Sequence, residues 1–133
     1  STLFPYTTLF RSQRDKMFFP ACRNASIGTN QALRRQNGTF INNCPYSVPF
    51  DGILTAVTAE NNANSNAESW ELQVEIDGVV QAALTTTVPS GQRDAQNDGN
   101  SVPVTQGQDL VIFFRNASGT VANPGGIVYG RRS

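Results

Sequence analysis

The residues able to do chemistry are few, and the chain of 133 residues contains no histidine. That removes imidazole acid–base catalysis, the serine and cysteine triads built on it, and most zinc sites. No P-loop, dinucleotide fingerprint or Cys-x-x-Cys motif occurs. A carboxylate pair acting on a glycosidic bond is the remaining catalytic arrangement, drawn from Glu60, Glu68, Glu71, Glu75, Asp77, Asp94, Asp98 and Asp109. Glu71 and Glu75 would share one strand face about 13 Å apart at ~3.3 Å per residue, too far for either glycosidase geometry. They read as a solvated outer face, and no catalytic or cofactor-binding residue is assigned.

Four other features have chemical content. Asp94, Asn97, Asp98 and Asn100 offer hard oxygen ligands around Gly99, which is the ligand chemistry of calcium. The spacing does not match an EF-hand loop, and the same residue types build ordinary surface turns, so calcium is a candidate set against a plain turn. Cys22 and Cys44 form an even pair. A bridge would restrict the unfolded chain by ~3 kcal/mol in an oxidising setting, whereas assembly in the cytosol keeps both thiols reduced, the preferred reading. Asn24, Asn37 and Asn116 begin Asn-x-Ser/Thr triplets, which arise easily in an Asn-rich chain. The basic doublets Arg34-Arg35 and Arg131-Arg132 lack the charge density and interleaved aromatics of a phosphate-binding patch and read as solvated or interface arginines. With ten basic residues balancing ten acidic ones, no overall field recruits nucleic acid or an anionic membrane.

The elements that must position these groups are strands. Apolar residues make up 38% of the chain and charged residues 15%, with 11 Gly and 7 Pro, as expected for a turn-rich β protein. No segment has the apolar period of an amphipathic helix, no apolar run nears the ~20 residues of a membrane span, and no secretory signal is visible. Over 70–76, Trp70, Leu72, Val74 and Ile76 alternate with Glu71, Gln73 and Glu75, which predicts a half-buried strand. Asp77-Gly78 then supplies a type I′ turn into a second strand over 79–88. A turn at Phe50-Asp51-Gly52 precedes a strand over 53–59, with Ile53, Thr55, Val57 and Ala59 on one face and Leu54, Ala56 and Thr58 on the other. Both faces are apolar enough for the middle of a sheet or a subunit interface. Further strands are predicted over 101–104 at an edge, over 110–114 in the core, and over 127–131 after the Pro124-Gly125-Gly126 breaker. The N-terminal strands fall at 17–22, 39–41 and 46–48. Segments 61–69 and 89–100 read as long polar surface loops. About eight short strands with turns between them predict an antiparallel β-sandwich of the jelly-roll kind.

Residues 1–12 stand apart. Their order, Ser-Thr-Leu-Phe-Pro-Tyr-Thr-Thr-Leu-Phe-Arg-Ser, resembles at every position the codon-by-codon translation of a widely used short-read sequencing adaptor. The competing reading, an amphipathic strand over 3–9, would require a very improbable chance match. Set aside as artefactual, this segment leaves 13–133 as a single jelly-roll domain. The expectation that follows is a sequence assembled from environmental DNA, with a gene cut short at its 5′ side and either Met17 or a missing upstream codon as its start.

Three segments carry a family resemblance: 46–54 (Tyr-Ser-Val-Pro-Phe-Asp-Gly-Ile-Leu), 70–79 (Trp-Glu-Leu-Gln-Val-Glu-Ile-Asp-Gly-Val) and 104–110 (Val-Thr-Gln-Gly-Gln-Asp-Leu). Their order resembles the C1q/TNF-like trimeric jelly roll found in phage and other virion fibre or decoration proteins and in bacterial exosporium filaments. In many relatives the last segment reads Gly-Asp-x-Leu, and here Gln108 is inserted between Gly107 and Asp109. The resemblance spans roughly 33–132. It implies a homotrimer with apolar sheet faces about a three-fold axis and a role in virion structure or attachment to a host-surface glycan or receptor, beside the reading from the residues that the chain is not an enzyme. A carbohydrate-binding module of a secreted protein is the alternative from the same architecture, and aromatics on an exposed platform would mark it. Trp70, Tyr46, Tyr129 and most Phe residues fall in apolar strand positions, so no platform is expected. A spore-surface filament tip shares the trimer and would be told apart by an upstream collagen-like Gly-x-y region.

Overall fold

The computed structural model describes residues 14–28, 30–62, 68–115 and 119–133. The segment 1–12 therefore lies outside the described residues. In chain order the strands are β1 (Lys16–Cys22), β2 (Ser26–Ile27), β3 (Gln31–Ala32), β4 (Tyr46–Ser47), β5 (Gly52–Glu60), β6 (Trp70–Ile76) and β7 (Val79–Val80). They continue as β8 (Thr86–Val88), β9 (Asp94–Asn97), β10 (Val102–Val104), β11 (Asp109–Arg115), β12 (Val121–Ala122) and β13 (Gly125–Arg132).

One sheet runs β1-β13-β5-β10 with β9 also on β5, and the other runs β3-β11-β6-β7 with β4 on β11 and β8 on β6. With β2 and β12 set aside as a separate two-stranded pair, merging the interrupted strands β3/β4, β7/β8 and β9/β10 leaves eight, ordered 1-8-3-6 in one sheet and 2-7-4-5 in the other. That is the double Greek key of a jelly roll, with every pairing antiparallel. The all-β sandwich predicted from alternation is the observed fold.

The alternation of side chains builds the core. Leu72, Val74 and Ile76 of β6 stand opposite Phe114, Ile112 and Leu110 of β11, all facing inward. From the other sheet Met17, Phe19, Leu54, Val57, Ala59 and Val128 meet them in one continuous cluster. Trp70 is fully buried with its ring 5.2 Å from that of Phe114. Gly126 allows the layers to close here, because a Cβ on it would come 2.3 Å from the Thr58 carbonyl oxygen and 2.4 Å from Leu72 Cδ1.

Five local expectations need correction. The face assignment of the strand over 53–59 changes part-way, because Ala56 pairs with Tyr129 while Leu54 pairs with the adjacent Gly130. Thr55 is the extra residue of a β-bulge, so Leu54, Val57 and Ala59 all face the core while Ile53, Ala56 and Thr58 face outward. The strand over 79–88 is broken by a 3-10 turn at Ala82–Leu84, which leaves Val79 and Val80 exposed on an edge and buries Leu84 completely. The polar stretch 89–100 is not all loop, since β9 pairs with β5 beyond the point where β10 ends. Gly125 and Gly126 lie inside β13 rather than breaking it, opposite Glu60 and Ala59. The short pairings at 26–27, 31–32 and 121–122 were not expected, and 39–41 contributes only a bridge at Phe40.

Candidate functional site

A two-sheet sandwich has two outward faces, and the one formed by β1, β13 and β5 carries an exposed Phe18 among the half-buried Pro20, Ile53, Ala56, Ile127 and Tyr129. Register sets its rows. Phe18 pairs with Tyr129 and Tyr129 with Ala56, while Pro20 pairs with Ile127 and Ile127 with Thr58. A further row runs from Lys16 through Arg131 to Ile53 and Pro103. Phe18 is 57% exposed, and its ring meets that of Tyr129 edge to face at 5.6 Å and 84°. Lys16 and Arg131 border the patch at one end, and Glu60 paired with Asp94 borders it at the other. An apolar centre with a charged rim is the usual composition of an association surface.

The expectation of an apolar outer face rested on 53–59 alone. The structure extends it across three strands, and Phe18, Ile127 and Tyr129 were missed. Their signal was present: Phe18 adjoins the inward Phe19, and Ile127 and Tyr129 alternate with Val128, so β1 and β13 are apolar at both parities.

The other face, on β6 and β11, is mixed, with Val111 and Phe113 set among Glu71, Gln73, Glu75 and Arg115. Glu75 pairs with Arg115 at 3.5 Å, and Gln73 Nε2 donates to Glu71 Oε2 at 3.2 Å. Asp77 accepts the Asp109 backbone N–H at 2.8 Å and Gln108 Nε2 at 3.2 Å, so it organises a turn. The candidate calcium ligands are divided. Asp94 lies at the start of β9 opposite Glu60, whereas Asn97 donates from Nδ2 to the carbonyls of Ala83 and Thr85 at 2.9 and 3.1 Å. Asn97 Oδ1 accepts Asn100 Nδ2 at 2.9 Å, and Asp98 stands exposed in the turn between them. Among the described residues no three His, Cys, Asp or Glu groups converge where a metal ion could sit. Cys22 is an exposed free thiol and Cys44 a half-buried one that accepts a 3.3 Å contact from Arg35 Nη1. Asn24 and Asn37 are exposed, and Asn116 lies outside the described residues.

No known family model matches the chain, and no curated protein matches it. A solved structure described as the crystal structure of FLHE aligns at 14% identity and a TM-score of 0.41, over 90% of this chain and 99% of that one. An overlap this loose transfers neither a function nor a site.

Proposed function

We propose that this chain is a non-catalytic structural or attachment domain at a virion or extracellular surface, working as a homotrimer that packs the β1-β13-β5 face around a three-fold axis. The observation that carries the reading is the apolar patch of Phe18, Pro20, Ile53, Ala56, Ile127 and Tyr129 on one outward sheet face. A protomer of this size buries roughly two-thirds of its surface unaided, and covering that patch would add apolar burial at about 25 cal/mol per Å². The jelly-roll strand order agrees with the segments that resemble C1q/TNF-like domains. A closed ring of three makes each contact heterologous, so one substitution acts on every interface together. Light scattering at micromolar concentration tests this: the wild type is expected at three times the protomer mass and Ala56→Asp at the protomer mass. A strictly monomeric wild type would reject the trimer.

The Phe18–Tyr129 pair also gives some support to the carbohydrate-module reading. Sugar stacking uses aromatic faces lying side by side in one plane, whereas these rings stand at 84°. That geometry suits an interlocked protein contact better. A monomer that binds neutral sugars and loses binding in Phe18→Ala would bring the module reading forward.

A further inference from the structure

The hairpin over 33–41 closes one edge of the sandwich and gathers positive charge there. Its first strand ladders onto the end of β1, with Cys22 N–H donating to the Arg34 carbonyl and Arg34 N–H to the Cys22 carbonyl, both at 2.9 Å. Arg34 also bridges to Phe40, and side chains directly opposite in a ladder project to the same side, so Cys22, Arg34 and Phe40 stand together. The Arg34 guanidinium lies 4.2 Å above the Phe40 ring and that of Arg23 lies 5.2 Å from the same ring. Arg23 is held in place by its N–H bond to the Pro124 carbonyl at 2.9 Å. Two cations this near one centroid are closer than the ~10 Å over which 0.1 M salt screens them, so they repel.

Two other arginines meet carboxylates: Arg115 has Glu75, and Arg132 has Asp15. Among the described residues neither Arg23 nor Arg34 has such a partner, and the Nε of each is buried without a hydrogen bond. A cleft of about 220 Å³ opens beside them, lined by Cys22, Arg23, Asn24, Arg34 and Gln36 among others. Like charges held together, hidden donors left unpaired and a concave opening share one location.

We propose that the Arg23–Arg34 cleft binds an oxyanion carried on a saccharide, either a carboxylate or a sulfate ester. A guanidinium presents planar donors that match both groups, and stacking on Phe40 fixes the plane of Arg34 in advance. The amides of Asn24 and Gln36 supply neutral donors and acceptors for sugar hydroxyls. The volume is below the ~300 Å³ at which pockets for drug-sized ligands begin, which suits one acidic sugar unit. The balanced net charge makes the site local and leaves no basic track for a nucleic acid. The inference concerns one protomer and does not depend on the trimer.

The test follows the arginine Nε–Hε resonances by NMR during titration with a heparin-derived sulfated disaccharide, with sialyllactose, and with neutral lactose. Saturable shifts of the Arg23 and Arg34 signals are expected with at least one acidic sugar and not with lactose, and the responding sugar identifies the anion. Arg34→Gln is expected to weaken binding at least tenfold and Arg14→Gln, exposed before the start of β1 and so at the end opposite Cys22, to leave it unchanged. Should Arg34→Gln fold poorly, Asn24→Asp on the exposed rim repels the same ligand and is expected to weaken it similarly. Bound ligand should also slow alkylation of Cys22 in the cleft. The absence of a saturable shift with either acidic sugar would overturn the proposal, as would equal losses in Arg34→Gln and Arg14→Gln.

Discussion

Trp70 has two requirements to meet, and different residues meet them. Its indole fills the space between the sheets against Phe114, while its Nε1 donates to Asn61 Oδ1 at 2.9 Å. Trp70→Ala should therefore cost ~3–5 kcal/mol, the range for emptying a large aromatic site. Asn61→Leu keeps the volume but orphans the indole N–H, and should cost about 1–3 kcal/mol. Urea unfolding followed by circular dichroism measures both, and a neutral Asn61→Leu would show that the hydrogen bond adds nothing to packing. The inward position of Trp70 was legible from the alternation over 70–76. Asn61 was hidden in a polar stretch because only the folded chain brings it to a partner nine positions on. Asp77-Gly78 was fully legible: φ is +49° and +81° at the two residues, as a type I′ turn requires. Nothing lies within 4 Å of a Cβ built on Gly78, so Gly78→Val should lose ~1–2 kcal/mol through backbone conformation alone. Gln108, which departs from the pattern of the resembling family, closes its own turn by accepting Thr105 N–H at 2.7 Å and reaching Asp77 at 3.2 Å.

Strands with strict alternation could be read from the sequence, and strands whose pairing depends on distant partners could not. β6 is apolar at one parity and β11 is an unbroken apolar run over 110–114, so periodicity and run length located them to within a residue at either end. β9 has one apolar residue, Ala95, and exists because the edge of β5 over 57–60 lies beyond its pairing with β10, a fact no local pattern contains. β5 was legible as a strand but not in its facing, since the bulge at Thr55 reverses parity without leaving a composition signal. The bulge makes a testable contrast. Deleting Thr55 restores a regular ladder in which Leu54 still pairs with Gly130 and Ala56 with Tyr129, and it loses the 3.0 Å bond from Asn100 N–H to the Thr55 carbonyl. That variant should fold with a loss of about 0.5–1.5 kcal/mol. Deleting Thr58 instead turns Ala59 outward and drives Glu60 toward the core, and should abolish cooperative unfolding. Equal behaviour of the two deletions in thermal melts would mean that the register does not control the facing of β5.

At the scale of the whole molecule, association and the artefactual reading of 1–12 both bear on the same observable, the unfolding midpoint. If residues 1–12 are translated adaptor, a chain lacking them should melt at the same temperature as the full chain, and a clear loss would assign them a part in the fold. The trimer makes a different demand, because subunits that separate on unfolding are stabilised by mass action. For three protomers, a hundredfold rise in concentration adds roughly two-thirds of RT ln 100, about 1.8 kcal/mol per protomer, which for a domain of this size raises the midpoint by about 5 °C. Phe18 separates this effect from protomer stability. It is 57% exposed on the outward face, so Phe18→Asp should remove little from the core. Inside a closed ring the same carboxylate would be buried without a partner at all three interfaces. Calorimetry at about 1 and 100 µM should therefore show a midpoint that rises with concentration in the wild type and stays fixed in Phe18→Asp. A wild-type midpoint independent of concentration, with a protomer mass by light scattering, would leave the outward face without its proposed partner.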